Sequence, residues 1–247
     1  MANWNDPRPT GTGFGASPSL SGIQGRSDVF DAGLRRHMLS IYNYMASGVL
    51  LSGIVALVFA TSGLAEAVFG TPLRWVVALA PLAFVMVMSF GINRLSTFAM
   101  QSLFWAFSVV MGMSLSAIFF VYTGPSIAVT FFATAGAFAG LSLFGYTTKK
   151  DLSGFGSFLI MGMFGLLIAS VINIFLKSPG LAWAVSFLGV LIFAGLTAYD
   201  TQRLKEQYAY VAGTDFAGKA IVMGALSLYL DFINMFTFLL QFMGERR

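Results

Sequence analysis

The chain has no cysteine, and its one histidine is His37. Without thiols there can be no disulfide, thiolate metal site, iron–sulfur cluster or cysteine nucleophile. Charge is also scarce: Asp, Glu, Lys and Arg make up 10% of the 247 residues, whereas hydrophobic residues make up 57%. A chain so poor in charge, with repeated apolar runs of about 18 residues or more, reads as an integral membrane protein and not as a soluble domain. The formal charge of +4 comes from basic residues gathered at the ends of those runs. It therefore reports topology and contact with the lipid bilayer, and it implies no nucleic-acid partner.

Residues 1–36 are rich in Gly, Ser, Pro and Asp and have no apolar period that could bury a face, so they read as a disordered cytoplasmic tail. The glycines of Gly11-Thr-Gly-Phe-Gly15 follow no strand and open no helix, which removes the dinucleotide-loop reading. The polar region is too long for a cleavable signal, and Asp6, Asp28 and Asp31 argue against a transit peptide. Residues 37–247 form the second unit, an all-α domain of seven transmembrane helices. Its spans are expected near 38–60, 75–92, 98–122, 126–144, 158–175, 181–199 and 220–242, with a polar connector over 201–219. The fourth contains Gly136-Ala-Phe-Ala-Gly140, a small-residue stripe expected to serve packing within the bundle.

Basic loops stay on the cytoplasmic side. The tail and the even-numbered loops hold Arg8, Arg26, Arg35, Arg36, Arg94, Lys149, Lys150, Arg203, Lys205 and Lys219, against Arg74, Lys177, Arg246 and Arg247 on the other side. This predicts a cytoplasmic N-terminus and an outside C-terminus.

Two acids stand out, Asp200 at the end of the sixth span and Asp231 in the middle of the seventh. An ionised side chain at mid-membrane costs at least about 2.5–3.5 kcal/mol, so such a residue marks a proton site, a cation site or an ion pair. Ser227, Asp231 and Asn234 are spaced four and three apart and share one helix face, which Gly224 extends. A polar face cannot look at lipid, so the seventh helix is expected at the centre, surrounded by the other six. Thr197, Asp200 and Arg203 form a similar stripe on the sixth. If the stripes meet, two charges about 4 Å apart at an effective dielectric near 20 repel by about 4 kcal/mol. The pair then holds one proton and titrates as a unit, bridged and closed when protonated, repelling and open when not. Calcium prefers such oxygens but wants about six to eight of them. Asp200 and Asp231 thus suit weak, transient calcium contact, with calcium as a transported ion and no resident cofactor. Arg94, near the inner mouth, is the expected cation that neutralises the deprotonated pair.

These residues resemble the Bax inhibitor-1 family, also called TMBIM or YccA-like proteins. The resemblance rests on Leu228-Tyr-Leu-Asp-Phe-Ile-Asn-Met-Phe236 and Ala198-Tyr-Asp-Thr-Gln202, with Lys149-Lys-Asp-Leu152 and Asn173-Ile-Phe175 in the middle of the chain, and covers about residues 31–244. It implies a seven-helix fold with the last helix central and, for bacterial members, a pH-dependent calcium leak controlled by an aspartate pair, here Asp200 and Asp231. Alignment through Met111-Gly-Met-Ser-Leu115 puts Arg94 where the family places a basic partner. Some members carry an acid in the second span, but Leu82-Ala-Phe-Val85 has none here. The resemblance also implies links to stress response, cell death and control of a membrane protease, and its spread points to a bacterial inner membrane.

Three functions follow as alternatives. The first is a passive, proton-gated calcium pathway. The second is a non-conducting regulator that binds another membrane protein, with the carboxylates as internal glue. The third, a two-aspartate intramembrane protease, fails on its signature: Asp231 follows Leu228-Tyr-Leu230 and not a Gly-x-Gly turn, and no Pro-Ala-Leu comes after it. His37, beside Arg35 and Arg36, reads as interfacial. The chain is not expected to be an enzyme.

Overall fold

The computed structural model describes residues 20–247, with side chains from residue 29 onward. The expected tail at residues 1–19, including the glycines of 11–15, lies outside the described residues. The described chain forms helices α1 (Leu20–Thr61), α2 (Leu64–Phe69), α3 (Leu73–Gly91), α4 (Thr97–Leu115), α5 (Ile118–Val121), α6 (Gly124–Thr147), α7 (Ser153–Leu176), α8 (Pro179–Val211) and α9 (Ala217–Met243). Seven segments are long and apolar enough to cross a membrane: Val29–Thr61 within α1, α3, α4 with α5, α6, α7, α8 and α9. The helix ends follow local chemistry. Ser96 and Ser178 cap α4 and α8 by accepting from the N–H groups of Ala99 and Leu181, and prolines occupy the first turns of α6 and α8.

Two boundaries differ from expectation. α1 begins at Leu20, so residues 20–36 continue the first span as helix and do not belong to an irregular tail. α8 runs on through Val211, which shortens the polar connector to residues 212–216. Residues 200–211 are rich in good helix formers, with Leu204 and Val211 buried seven residues apart on one face. Tyr208 on this extension packs at a tilt against Phe30 and His37 of α1, at 5.1 and 5.2 Å between ring centres, so each helix supports the other beyond the apolar layer.

The last helix is the most enclosed of the spans. In its most apolar stretch 61% of residues are buried, against 11% for α3 and α7. It packs on α8, α1, α6 and α4, while α3 rests chiefly on α4 and α7 on α8. Tyr229 pins it in place, fully buried with its ring edge-on to Phe104 and Phe107. Its hydroxyl lies 2.6 Å from Ser52 Oγ, which in turn lies 2.6 Å from the Ser108 carbonyl. Ser52 has one proton to give, so it donates to the carbonyl and accepts from Tyr229, tying α9 to α1 and α4.

The Gly136–Gly140 stripe does not pack inside the bundle as expected. Both glycines face outward, with nothing within 4 Å of an added Cβ. The close approach of α6 to α8 is made lower down, at Gly145, where a Cβ would run into the Ala198 backbone. Gly112 does the same for α4 against the Ser52 backbone of α1.

Two outcomes follow for thermal unfolding in detergent, read by the loss of monodisperse protein. Gly145→Val forces α6 off α8 and lowers stability by about 1–3 kcal/mol, whereas Gly136→Val leaves it unchanged. Tyr229→Phe removes one interhelical hydrogen bond and costs about 0.6–1.7 kcal/mol.

Candidate functional site

The length of α8 decides whether the two acids can meet. α8 and α9 are antiparallel neighbours joined by a five-residue connection. Asp200 stands eleven residues before the end of α8, a depth of about 16 Å, and Ser227 ten residues into α9, about 15 Å. These two are therefore level. Asp231 lies one further turn in, about 6 Å deeper.

At that level Ser227 donates a short hydrogen bond to Asp200 Oδ2. The other oxygen of Asp200 lies 3.7 Å from the Arg203 guanidinium, the one ion pair among the described residues. Asp200 is buried, but half of the Arg203 side chain is exposed, so this pair is wet on one side and weakly stabilising. Asp231 is buried as well, and its Oδ2 has no hydrogen-bond partner. Asp231 lies four residues from Ser227 on the same face of α9, and Ser227 holds Asp200. A buried acceptor without a donor costs about 1–3 kcal/mol.

The turns of α8 around Asp200 reach every neighbouring element. Thr201 Oγ1 lies 2.9 Å from Ser142 Oγ of α6, which lies 2.6 Å from the Tyr42 hydroxyl of α1. The Gln202 side chain clamps the α6–α7 connection, accepting from the Leu152 N–H and donating to the Lys150 carbonyl, both at 2.8 Å. Hydrogen bonds from Ser153 to Asp151 in that connection, first from its hydroxyl and then from its backbone N–H, hold the Asp151 carboxyl below the usual carboxylate range. Lys205 Nζ donates to the Tyr146 carbonyl at 2.8 Å.

Of the residues singled out in the sequence, Ser227 and Asp200 are bonded to each other, and Asp231 lies one turn beyond Ser227 on α9. Thr197 is fully buried, but its hydroxyl donates to the Phe193 carbonyl of its own helix. The Asn234 amide likewise donates to Leu230 within α9. Arg94 stands apart. It is exposed in the α3–α4 turn and forms no ion pair among the described residues, and that turn is anchored to the start of α9 by Lys219, which donates to the Ile92 carbonyl at 3.1 Å. Lys219 precedes Asp231 by twelve residues, about 18 Å of helix. The cation beside the carboxylates is Arg203 instead, whose i,i+3 spacing from Asp200 was visible in the sequence. Gln202, Ser142 and Tyr42 carry no signal in the sequence beyond being polar side chains inside or beside apolar runs. Among the described residues no group of three or more His, Cys, Asp or Glu is placed to hold a metal ion.

Residues 34–247 match the family described as inhibitor of apoptosis-promoting Bax1. A Caulobacter vibrioides protein described as uncharacterized is 52% identical over 88% of this chain and 91% of its own length. The Escherichia coli inner membrane protein YbhL is 46% identical over 87% of this chain and 94% of its own. An uncharacterized protein of Rickettsia prowazekii is 44% identical over 90% and 94%. The match takes in all seven spans and both aspartates, and the chain belongs to the Bax inhibitor-1-like family of integral membrane proteins.

Proposed function

We propose that the protein is a passive calcium leak pathway shut by a proton held between Asp200 and Asp231. The observation that carries this reading is the unpartnered, buried Oδ2 of Asp231, one turn along α9 from the Ser227 that, with Arg203, fixes Asp200. With the proton in place the pair carries one negative charge, and α8 and α9 close on each other. Losing that proton sets two charges against each other at about 4 kcal/mol for a 4 Å separation at an effective dielectric near 20, and the helices part. Arg203, not Arg94, is the cation that limits this repulsion.

Two carboxylates offer calcium only part of the roughly six to eight oxygens it takes, so the ion passes and is not stored. The basic end of the bundle, with the α3–α4, α6–α7 and α8–α9 connections, faces the cytoplasm, the N-terminus lies inside and the C-terminus outside. The Escherichia coli relative's description as an inner membrane protein supports the same membrane for this chain.

Reconstituted in vesicles loaded with a calcium dye, the protein is expected to pass calcium at a rate that rises with pH. Asp231→Asn, a permanently neutral side chain, gives low flux at every pH; pH-dependent flux left intact in this variant defeats the proposal. No flux in wild-type protein that remains folded would favour a non-conducting regulator. Topology has a separate test, because the chain has no cysteine of its own. An impermeant maleimide applied to intact cells should label Ser62→Cys, in the α1–α2 turn, and should reach Lys149→Cys only after permeabilisation. The reverse pattern inverts the orientation.

A further inference from the structure

α1 and α6 both pack on α9, and near their basic ends they are joined to each other by the Tyr42–Ser142 hydrogen bond. Between them lies a groove of about 730 Å³, within the range of about 300–1,000 Å³ typical of ligand sites, with Phe138 and Phe232 among its lining residues. A second cavity of about 420 Å³ continues from it, sharing Val49, Leu50 and Phe131, toward the far end of the bundle.

The lining decides what can occupy the first groove. Its walls are apolar except toward one end, where Arg35, Tyr42, Ser142 and Tyr146 lie. Water needs two to four polar partners, so it cannot fill the apolar length, and an empty groove would forfeit the dispersion contacts of its walls. Hydrocarbon is the remaining filling, and the groove opens sideways to where the bilayer lies. Its length selects the kind of hydrocarbon. From Arg35 to Leu50 the α1 wall spans fifteen residues, about 22 Å, which is half of a bilayer of about 40–45 Å including headgroups. One leaflet fits, from headgroup level to midplane.

Charge selects the headgroup. Arg35 lines the polar end, and Lys205, just outside the lining, is bonded to the carbonyl of Tyr146 at that end and stands 5.3 Å from the centre of the Tyr146 ring. A guanidinium and an ammonium at one mouth suit a phosphate. No carboxylate lines the groove, so the ammonium of a zwitterionic lipid finds no partner there. We infer that the α1–α6 groove binds one anionic phospholipid from the leaflet at the basic end, with an acyl chain on Phe138 and Phe232 and its headgroup at Arg35 and Lys205. The inference is independent of calcium conduction.

The test uses the full chain in phosphatidylcholine vesicles doped with a phospholipid whose acyl chain carries a photoreactive diazirine, with labelled residues mapped by mass spectrometry. Phosphatidylglycerol probe should label Leu39, Ala135 and Ala139 several-fold more than Phe164, an exposed residue of α7, and several-fold more than a phosphatidylcholine probe does. Arg35→Gln, a change at an exposed side chain, should abolish the headgroup preference. Ala139→Trp, which fills the groove, should reduce labelling there to the level of Phe164. Equal labelling of the groove and of α7, absence of a headgroup preference, labelling only by a free photoreactive fatty acid, or crosslinks joining two protein copies through the groove would each overturn the inference.

Discussion

A carboxyl group at bilayer depth must be walled off by protein, and the arrangement of this bundle follows from that requirement. Asp231 at mid-span would cost at least about 2.5–3.5 kcal/mol against lipid. Enclosure removes the lipid contact, and α9 is accordingly the most buried span, held by α8, α1, α6 and α4. The enclosure needs close backbones, which Gly145 provides between α6 and α8 and Gly112 between α4 and α1. It also needs α9 fixed in rotation, because a turn of the helix would bring the acid to the wall. Tyr229, bonded to Ser52 and boxed by Phe104 and Phe107, supplies that fixed point two residues away.

α8 is the element through which a change at the carboxylates would spread. Asp200 is bonded to α9 through Ser227, Thr201 to α6 through Ser142, Gln202 to the α6–α7 connection, and Lys205 to the end of α6. Consecutive residues of one helix thus hold several partners, and a shift of α8 relative to α9 cannot stay local. The same stretch lies beside the mouth of the α1–α6 groove, since Ser142 touches both Thr201 and Tyr42. The proposed proton site in the core and the proposed lipid site at the rim are therefore linked through the hydroxyl groups of Thr201, Ser142 and Tyr42.

Much of this was legible in the residues. Hydropathy located all seven spans, because apolar runs of bilayer length have few alternatives. The spacing of Ser227 and Asp231 gave one face of α9, since helical periodicity is a strong signal. The depth of Asp200 was not legible: residues 200–211 are polar, and polarity alone reads as a connector, although their helix propensity and the buried pair Leu204 and Val211 carry α8 onward. For the same reason the start of α1 was placed too late. Arg94 suits both the inner mouth and the family's basic position, but the nearer geometric argument belongs to Arg203, one turn from Asp200 on the same helix. Small residues misled at Gly136 and Gly140, because their spacing says that backbones can approach there and not that they do.

The central claim is that Asp200 and Asp231 share one proton. Infrared difference spectroscopy of the reconstituted protein reads it directly, by following the protonated carboxyl stretch of Asp231 with pH and assigning the band by its loss in Asp231→Asn. The account predicts that neutralising its neighbour in Asp200→Asn moves the midpoint of that band. An unmoved midpoint would mean two independent acids and would contradict the shared proton.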